Sequence, residues 1–199
     1  MTTNIQKIAL PLVFASSLLL TACSNDSETP AAAKDAPAAQ EQPAAAQATG
    51  HLTKEQVSSN IEQIGSTTYN AADDNLTVKL KISNKGTAAW PAAGANPVTV
   101  GVVQLLAPAP GTADPTRGQE ARAPLAADVQ PNGETEVTAI VPGAFAVGNK
   151  VQFELVQEGV AWFGFNFQQP VVVVGPFARC ADGKGLCDDK GAPIAAATP

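Results

Sequence analysis

Eight consecutive residues, Leu76-Thr77-Val78-Lys79-Leu80-Lys81-Ile82-Ser83, alternate apolar and polar without a break. Successive side chains of a β-strand point to opposite faces. This segment therefore reads as a half-buried antiparallel strand, with Leu76, Val78, Leu80 and Ile82 facing a core. Asn84-Lys85-Gly86 ends it in a turn. Residues 97–106 (PVTVGVVQLL) are nearly all apolar, which places that run centrally in a sheet. Residues 134–141 alternate again after the turn Pro131-Asn132-Gly133. Val151, Phe153 and Leu155 line one face of a strand over 150–157, and Glu158-Gly159 turns the chain into 160–163. Residues 125–129 read as a short edge strand. Residues 171–174 read as a short buried run ending at Gly175-Pro176. About seven strands at roughly 8–12-residue spacing, with turn signals between them, predict an all-β fold: one antiparallel β-sandwich.

Around these strands the pattern is weaker. Residues 51–65 allow two readings. Thr53 with Gln56 has the form of a capping box, and Val57, Ile61 and Ile64 have helical spacing; the other reading is a first strand over 61–68. Residues 107–117 are rich in Pro and Gly and form a loop. The last residues, GAPIAAATP, read as disordered. In the aromatic stretch Trp162, Phe163, Phe165 and Phe167, a strand puts one parity inward. Either Phe163 and Phe165 face the core and Trp162, Asn166 and Gln168 face out, or the reverse.

The N-terminus reads as an address. Lys7 precedes a 13-residue apolar run over 8–20 (IALPLVFASSLLL). That length suits the core of an export signal and is short for a spanning helix, and Pro11 weakens a helix further. Leu20-Thr21-Ala22-Cys23 closes the run and resembles the lipobox of bacterial lipoproteins. The resemblance implies a signal peptide over 1–22, lipidation of Cys23 and anchoring in the cell envelope. Ser24 stands where an Asp would imply retention in the inner membrane, so the expected location is the outer membrane, facing periplasm or cell surface. Several acyl chains on one residue hold far better than one, at about 0.8 kcal/mol per buried CH₂. Residues 23–52 then form an Ala/Pro-rich tether. With no aromatic or branched aliphatic residue over 24–50, it buries too little to offset ordering entropy. Stretched out it reaches on the order of 90 Å. The sandwich is expected over 53–177 and a tail over 178–199.

Three cysteines would leave an odd thiol in an exported protein. With Cys23 lipidated, Cys180 and Cys187 remain, joined by the turn-rich ADGKGL, and a disulfide between them is expected. A metal site there lacks two further soft ligands. The formal charge of −6 leaves no basic patch for nucleic acid. The single imidazole, His51, sits at the tether edge, which removes His-dependent triads and metal sites. Glu154 and Glu158 read as solvated carboxylates, and Asp73-Asp74, Asp182 and Asp188-Asp189 as turn residues without calcium-loop spacing. Arg117 and Arg122 flank an edge segment as surface arginines, with an anionic-glycan clamp as the alternative. No catalytic residue, metal or cofactor is expected.

Asn84-Lys85-Gly86 followed by Trp90-Pro91, then residues 129–134 (VQPNGE), 152–155 (QFEL) and Trp162-Phe163-Gly164 resemble the immunoglobulin-like domain of the Nbr1 four-tryptophan type. Two of the expected tryptophans, Trp90 and Trp162, are present, and Phe153 stands where an aromatic Trp is usual. The resemblance implies an immunoglobulin-like sandwich with a binding or scaffolding role toward another envelope protein. The alternative function is glycan binding by Trp90 or Trp162 with Asn166 and Gln168 as polar partners.

Overall fold

The computed structural model describes residues 50–197. The signal segment, Cys23 and most of the tether lie outside the described residues.

Twelve strand segments and two short helices follow one another in the described chain. They are β1 (Ser59–Gln63), β2 (Thr68–Asn70), β3 (Asn75–Asn84), β4 (Val98–Leu106), β5 (Thr116–Pro124), β6 (Glu134–Pro142), α1 (Gly143–Ala146), β7 (Lys150–Gln157), β8 (Ala161–Trp162), α2 (Phe163–Phe167), β9 (Val172–Val174), β10 (Ala178–Arg179), β11 (Leu186–Cys187) and β12 (Ala195–Ala196). Two five-stranded sheets form the all-β sandwich. In the first, β3 lies between β6 on one side and β1 with β2 on the other, and β12 extends β2. In the second, β4 lies between β5 and β7, and β8 and β9 share the far edge of β7.

The alternation in β3 does what its period demands. Leu76, Val78, Leu80 and Ile82 are fully buried, and Leu76, Val78 and Leu80 stand opposite Val141, Ala139 and Val137 of β6. Their outward neighbours pair Lys79 with Thr138 and Lys81 with Glu136. Val151, Phe153 and Leu155 of β7 supply the facing layer. The central position of β4 also holds. Its Val98, Val100 and Val102 face the core, but Thr99, Gly101 and Val103 on the other face are covered as well. A strand shielded on both faces reads as a continuous apolar run.

Four local expectations are corrected. The edge strand is β5, over Thr116–Pro124, and 125–129 is a loop whose Leu125 and Val129 turn into the core. Its sequence, TRGQEARAP, carries no apolar alternation because an edge strand here has little core to face. The aromatic stretch is one turn of helix, α2, closed by Gln168 N–H to Gly164 O and Gln169 N–H to Phe163 O. Phe163 and Phe167, four apart, share a face with ring centroids 5.8 Å apart, so Phe165 points away. The tail is packed: Phe177, Leu186 and Cys187 are buried, Ile194 lies against the core, and β12 pairs in parallel with β2. The folded region also begins before residue 53. Leu52 is buried, its N–H donates to Gln157 Oε1, and Gln157 Nε2 donates to Gly50 O.

The expected disulfide is present, with Cys180 and Cys187 Cα atoms 5.1 Å apart. At the N-terminal end of the described residues, the 51–65 ambiguity resolves into a turn at 54–56 followed by β1. Thr53 N–H donates to Gln56 Oε1, one half of the capping-box pattern.

Candidate functional site: the outer face of the second sheet

The register across the second sheet aligns Arg122 of β5, Gly101 of β4 and Glu154 of β7 in one row. All three project to the outer face. Gly101 leaves a gap in that row, and the indole of Trp162 fills it: a Cβ on Gly101 would lie 2.1 Å from Trp162 Cζ3. Glycine inside a strand marks such a close approach. The Arg117 and Arg122 guanidinium carbons sit over the same indole, 4.1 and 4.5 Å from its centroid. Arg117 also reaches 6.0 Å from the Phe165 ring.

Glu154 anchors the group. It is fully buried on this outer face, against the expectation of a solvated carboxylate. Three donors satisfy it: Arg117 Nη1 at 2.5 Å, Gln152 Nε2 at 3.0 Å and the Phe165 backbone N–H at 3.0 Å. A buried charge needs such partners, and here they also orient their owners. The bond to Phe165 N–H fixes the first turn of α2. Gly164 permits it, because a Cβ there would meet Glu154 Oε2 at 2.5 Å. Glu158 accepts from Thr99 Oγ1 and Arg122 Nε at 2.8 and 2.7 Å, and Glu120 meets both arginines at 3.3 and 3.4 Å. The two guanidiniums are thus matched by three carboxylates. A free anion would have to displace a carboxylate that already holds each arginine, so the anionic-clamp alternative loses its basis.

Beside these ion-paired groups the face leaves large apolar side chains open. Phe165 is 71% exposed, Val173 45% and Val171 37%. Val171 Cγ1 packs beside Gly164, and Val173 stands opposite Gln152, which places both on the outer side with Phe165.

The residues expected to bind divide sharply. Trp90 is fully buried and is corrected from binding residue to core residue. It packs edge-on to Phe163 at 5.7 Å and pairs through its backbone with Val129. Its Nε1–H has no partner among the described residues. Asn84, also fully buried, ties the neighbouring turn by donating to Ala88 O and Val129 O. Trp162 is partly exposed, but its ring already carries two guanidiniums. Asn166 is exposed and spends its Oδ1 on the Trp162 backbone N–H at 2.8 Å, back across the first turn of α2. Gln168 is exposed and ends α2 in the left-handed region, with φ 58°. The structure therefore joins Trp162 to Arg117, Arg122, Glu154 and Phe165 rather than to Trp90. Gly101 in the middle of an apolar run was the one signal in the chain for a ring lying on that strand.

Among the described residues, no three His, Cys, Asp or Glu side chains are grouped to hold a metal ion. No described helix is long and apolar enough to cross a membrane.

No protein family model matches the chain, and no curated protein matches it. Among solved structures three chains match. One is the crystal structure of the GH3 beta-glucosidase of Bifidobacterium adolescentis, at 9% identity and a TM-score of 0.27; the match covers 58% of this chain and 17% of that one. This chain thus spans a small part of that enzyme's length, and at that score the likeness carries no argument about fold or activity.

Proposed function

We propose that the chain is a lipid-anchored envelope protein whose sandwich, of the immunoglobulin-like kind, offers a non-catalytic docking face to another envelope protein. The observation that carries this reading is Phe165. It stands 71% exposed on the same face as Val171 and Val173, on a turn held by buried Glu154. Aromatic and Arg side chains dominate the energetically important centres of protein interfaces. Here the aromatic is fixed in advance and the arginines are already neutralised, so docking would order few side chains. The anchor rests on the resemblance of residues 20–23 to a lipobox.

Glycan binding keeps one supporting feature on this face, the open ring of Phe165. Trp90 is buried, and the Trp162 ring carries two arginines.

Cross-linking the tagged full-length chain in its own cells tests the docking reading. The expected result is one envelope protein enriched over a tether-only control and lost in Phe165→Glu. Equal capture by the tether-only control would overturn it. Cys23→Ala should move the protein out of the membrane fraction and remove the acyl mass. Retention in the membrane would overturn the anchor.

A further inference from the structure

Most strand edges of the sandwich are closed. The free side of β2 is taken by β12. The C-terminal segment that brings β12 there is also held where Arg179 Nη1 and Nη2 donate to Asp74 Oδ1 and Oδ2 at 2.7 and 2.6 Å. Those bonds, and then the Tyr69 hydroxyl, hold the Asp74 carboxyl at about 2, well below its usual range. β1 has five residues, and its Ser59 N–H, on the side away from β3, donates to Gln169 Oε1 at 2.8 Å. β8 and β9 have two and three residues. β5 carries an extra residue between its pairs Glu120–Val103 and Arg117–Leu105, and Pro124 ends it. Bulges and proline guard an edge against a further strand.

β6 has no such guard before its last residue. It pairs with β3 from Glu134 to Pro142 in unbroken register. Just past the two ends of that register, Asn84 N–H donates to Gly133 O at 2.9 Å and Gly143 N–H donates to Asp74 O at 2.6 Å. Antiparallel strands bond at alternate residues, so both ends assign the same set: Thr135, Val137, Ala139 and Val141 bond to β3. The N–H and C=O groups of Glu134, Glu136, Thr138 and Ile140 therefore point away from β3, and β6 pairs with no other described strand. All four residues are exposed. Such a row is a template for main-chain bonds to an added strand.

The side chains along this edge choose the occupant. Lys81, opposite Glu136, gives its ammonium to Glu134 at 2.8 Å, and Glu136 has no ion-pair partner among the described residues. Four residues further along the same face, Ile140 is 50% exposed. Side chains directly opposed on neighbouring strands interact, and opposite charges stabilise the pair. A second copy offers Glu136 no cation, because β6 (ETEVTAIVP) has no basic residue.

We propose that the free edge of β6 is a strand-addition site for an extended segment of another protein, bound antiparallel, with Lys or Arg opposite Glu136 and an apolar residue opposite Ile140. In that segment the basic residue follows the apolar one by four positions. The site shares no residue with the Phe165 face, and its test reads β6 alone, so the two readings stand or fall separately.

Amide hydrogen exchange, measured by NMR on the full-length protein in detergent, tests it. The probes are the end-capped peptides GVSTVKG and GVSTVEG at millimolar concentration. With the lysine peptide at ten times its measured dissociation constant, exchange at Glu136, Thr138 and Ile140 should slow about tenfold. The glutamate peptide should bind roughly fivefold more weakly, and Glu136→Lys should reverse that preference. Thr138→Pro removes an N–H that β3 does not use. It should abolish the added protection at Glu136 and Ile140 while Val137 and Ala139 keep theirs, which also reports that the variant is folded. Equal binding of both peptides, protection confined to β5, or no protection at millimolar peptide would each overturn the proposal. So would protection that rises with protein concentration alone, which would make a second copy the occupant.

Discussion

Trp90 and Trp162 are chemically identical side chains in opposite situations. Trp90 lies wholly inside, edge-on to Phe163, with its N–H unpaired among the described residues. Trp162 lies on the outside of a sheet, over Gly101 and under two guanidiniums. The first contributes by excluding water from its ring. The second contributes by covering the bare strand at Gly101 and giving two arginines a surface to rest on. The same contrast separates two Arg–carboxylate pairs. Arg117–Glu154 has a carboxylate with no exposed side-chain surface, whereas Arg179–Asp74 is open on both partners. A ring or a charge has no fixed role here; its neighbours assign one.

The largest test of this contrast is Trp90→Ala. It empties a large core volume and should cost about 3–5 kcal/mol, measured by denaturant unfolding. Trp90→Phe should leave the emission of Trp162 alone, quenchable by acrylamide; a shielded residual emission would erase the difference between the two rings. Next is Glu154→Ala, which strips Arg117, Gln152 and Phe165 N–H of their shared acceptor. About 3 kcal/mol is expected, toward the lower end for breaking a buried pair because Arg117 keeps some solvent contact. A loss no larger than that of an exposed pair would show that Glu154 is hydrated in solution.

Gly101→Ala sharpens the comparison by touching Trp162 alone. The new methyl must push the indole off the sheet, at about 1–3 kcal/mol, with a red shift in tryptophan emission. An unchanged spectrum would place the ring elsewhere. For the exposed pair, the sign follows from the lowered Asp74 value. A carboxyl whose folded value lies below its unfolded one stabilises fully above the unfolded value. That contribution disappears as pH falls from about 4 to about 2. The difference in Tm between the wild type and Asp74→Asn should therefore shrink over that window; a difference independent of pH would rule out the ion pair. The smallest effect is Phe165→Ala, within about 0.5 kcal/mol, since its ring is mostly in water already. A larger loss would mean that Phe165 belongs to the core and not to a docking face.

Much of the sandwich was legible. The alternation of β3, the central β4, the inward row of β7 and the Cys180–Cys187 pair all follow from local pattern. The site was less so. β5 carries Arg117, Glu120 and Arg122 but has no apolar period, so the edge strand was expected at 125–129 instead. Glu154 read as solvated because its parity is outward, and parity alone does not say that a helix and an indole cover the outer face. The Phe163, Phe165 and Phe167 spacing suits a strand, but Gly164 and the Glu154 bond to Phe165 N–H select a helical turn.

Period-two alternation and turn residues are local properties, set by which face each side chain must bury, and they determined on their own that this chain folds as a sandwich. Which of two tryptophans is core, which carboxylate is buried and which phenylalanine is left in solvent depend on residues far apart in sequence. Glu154 meets Arg117 across 37 positions and Asp74 meets Arg179 across 105. Only packing two sheets and folding the C-terminal segment back over one end creates those neighbours, so the tertiary structure alone decided them.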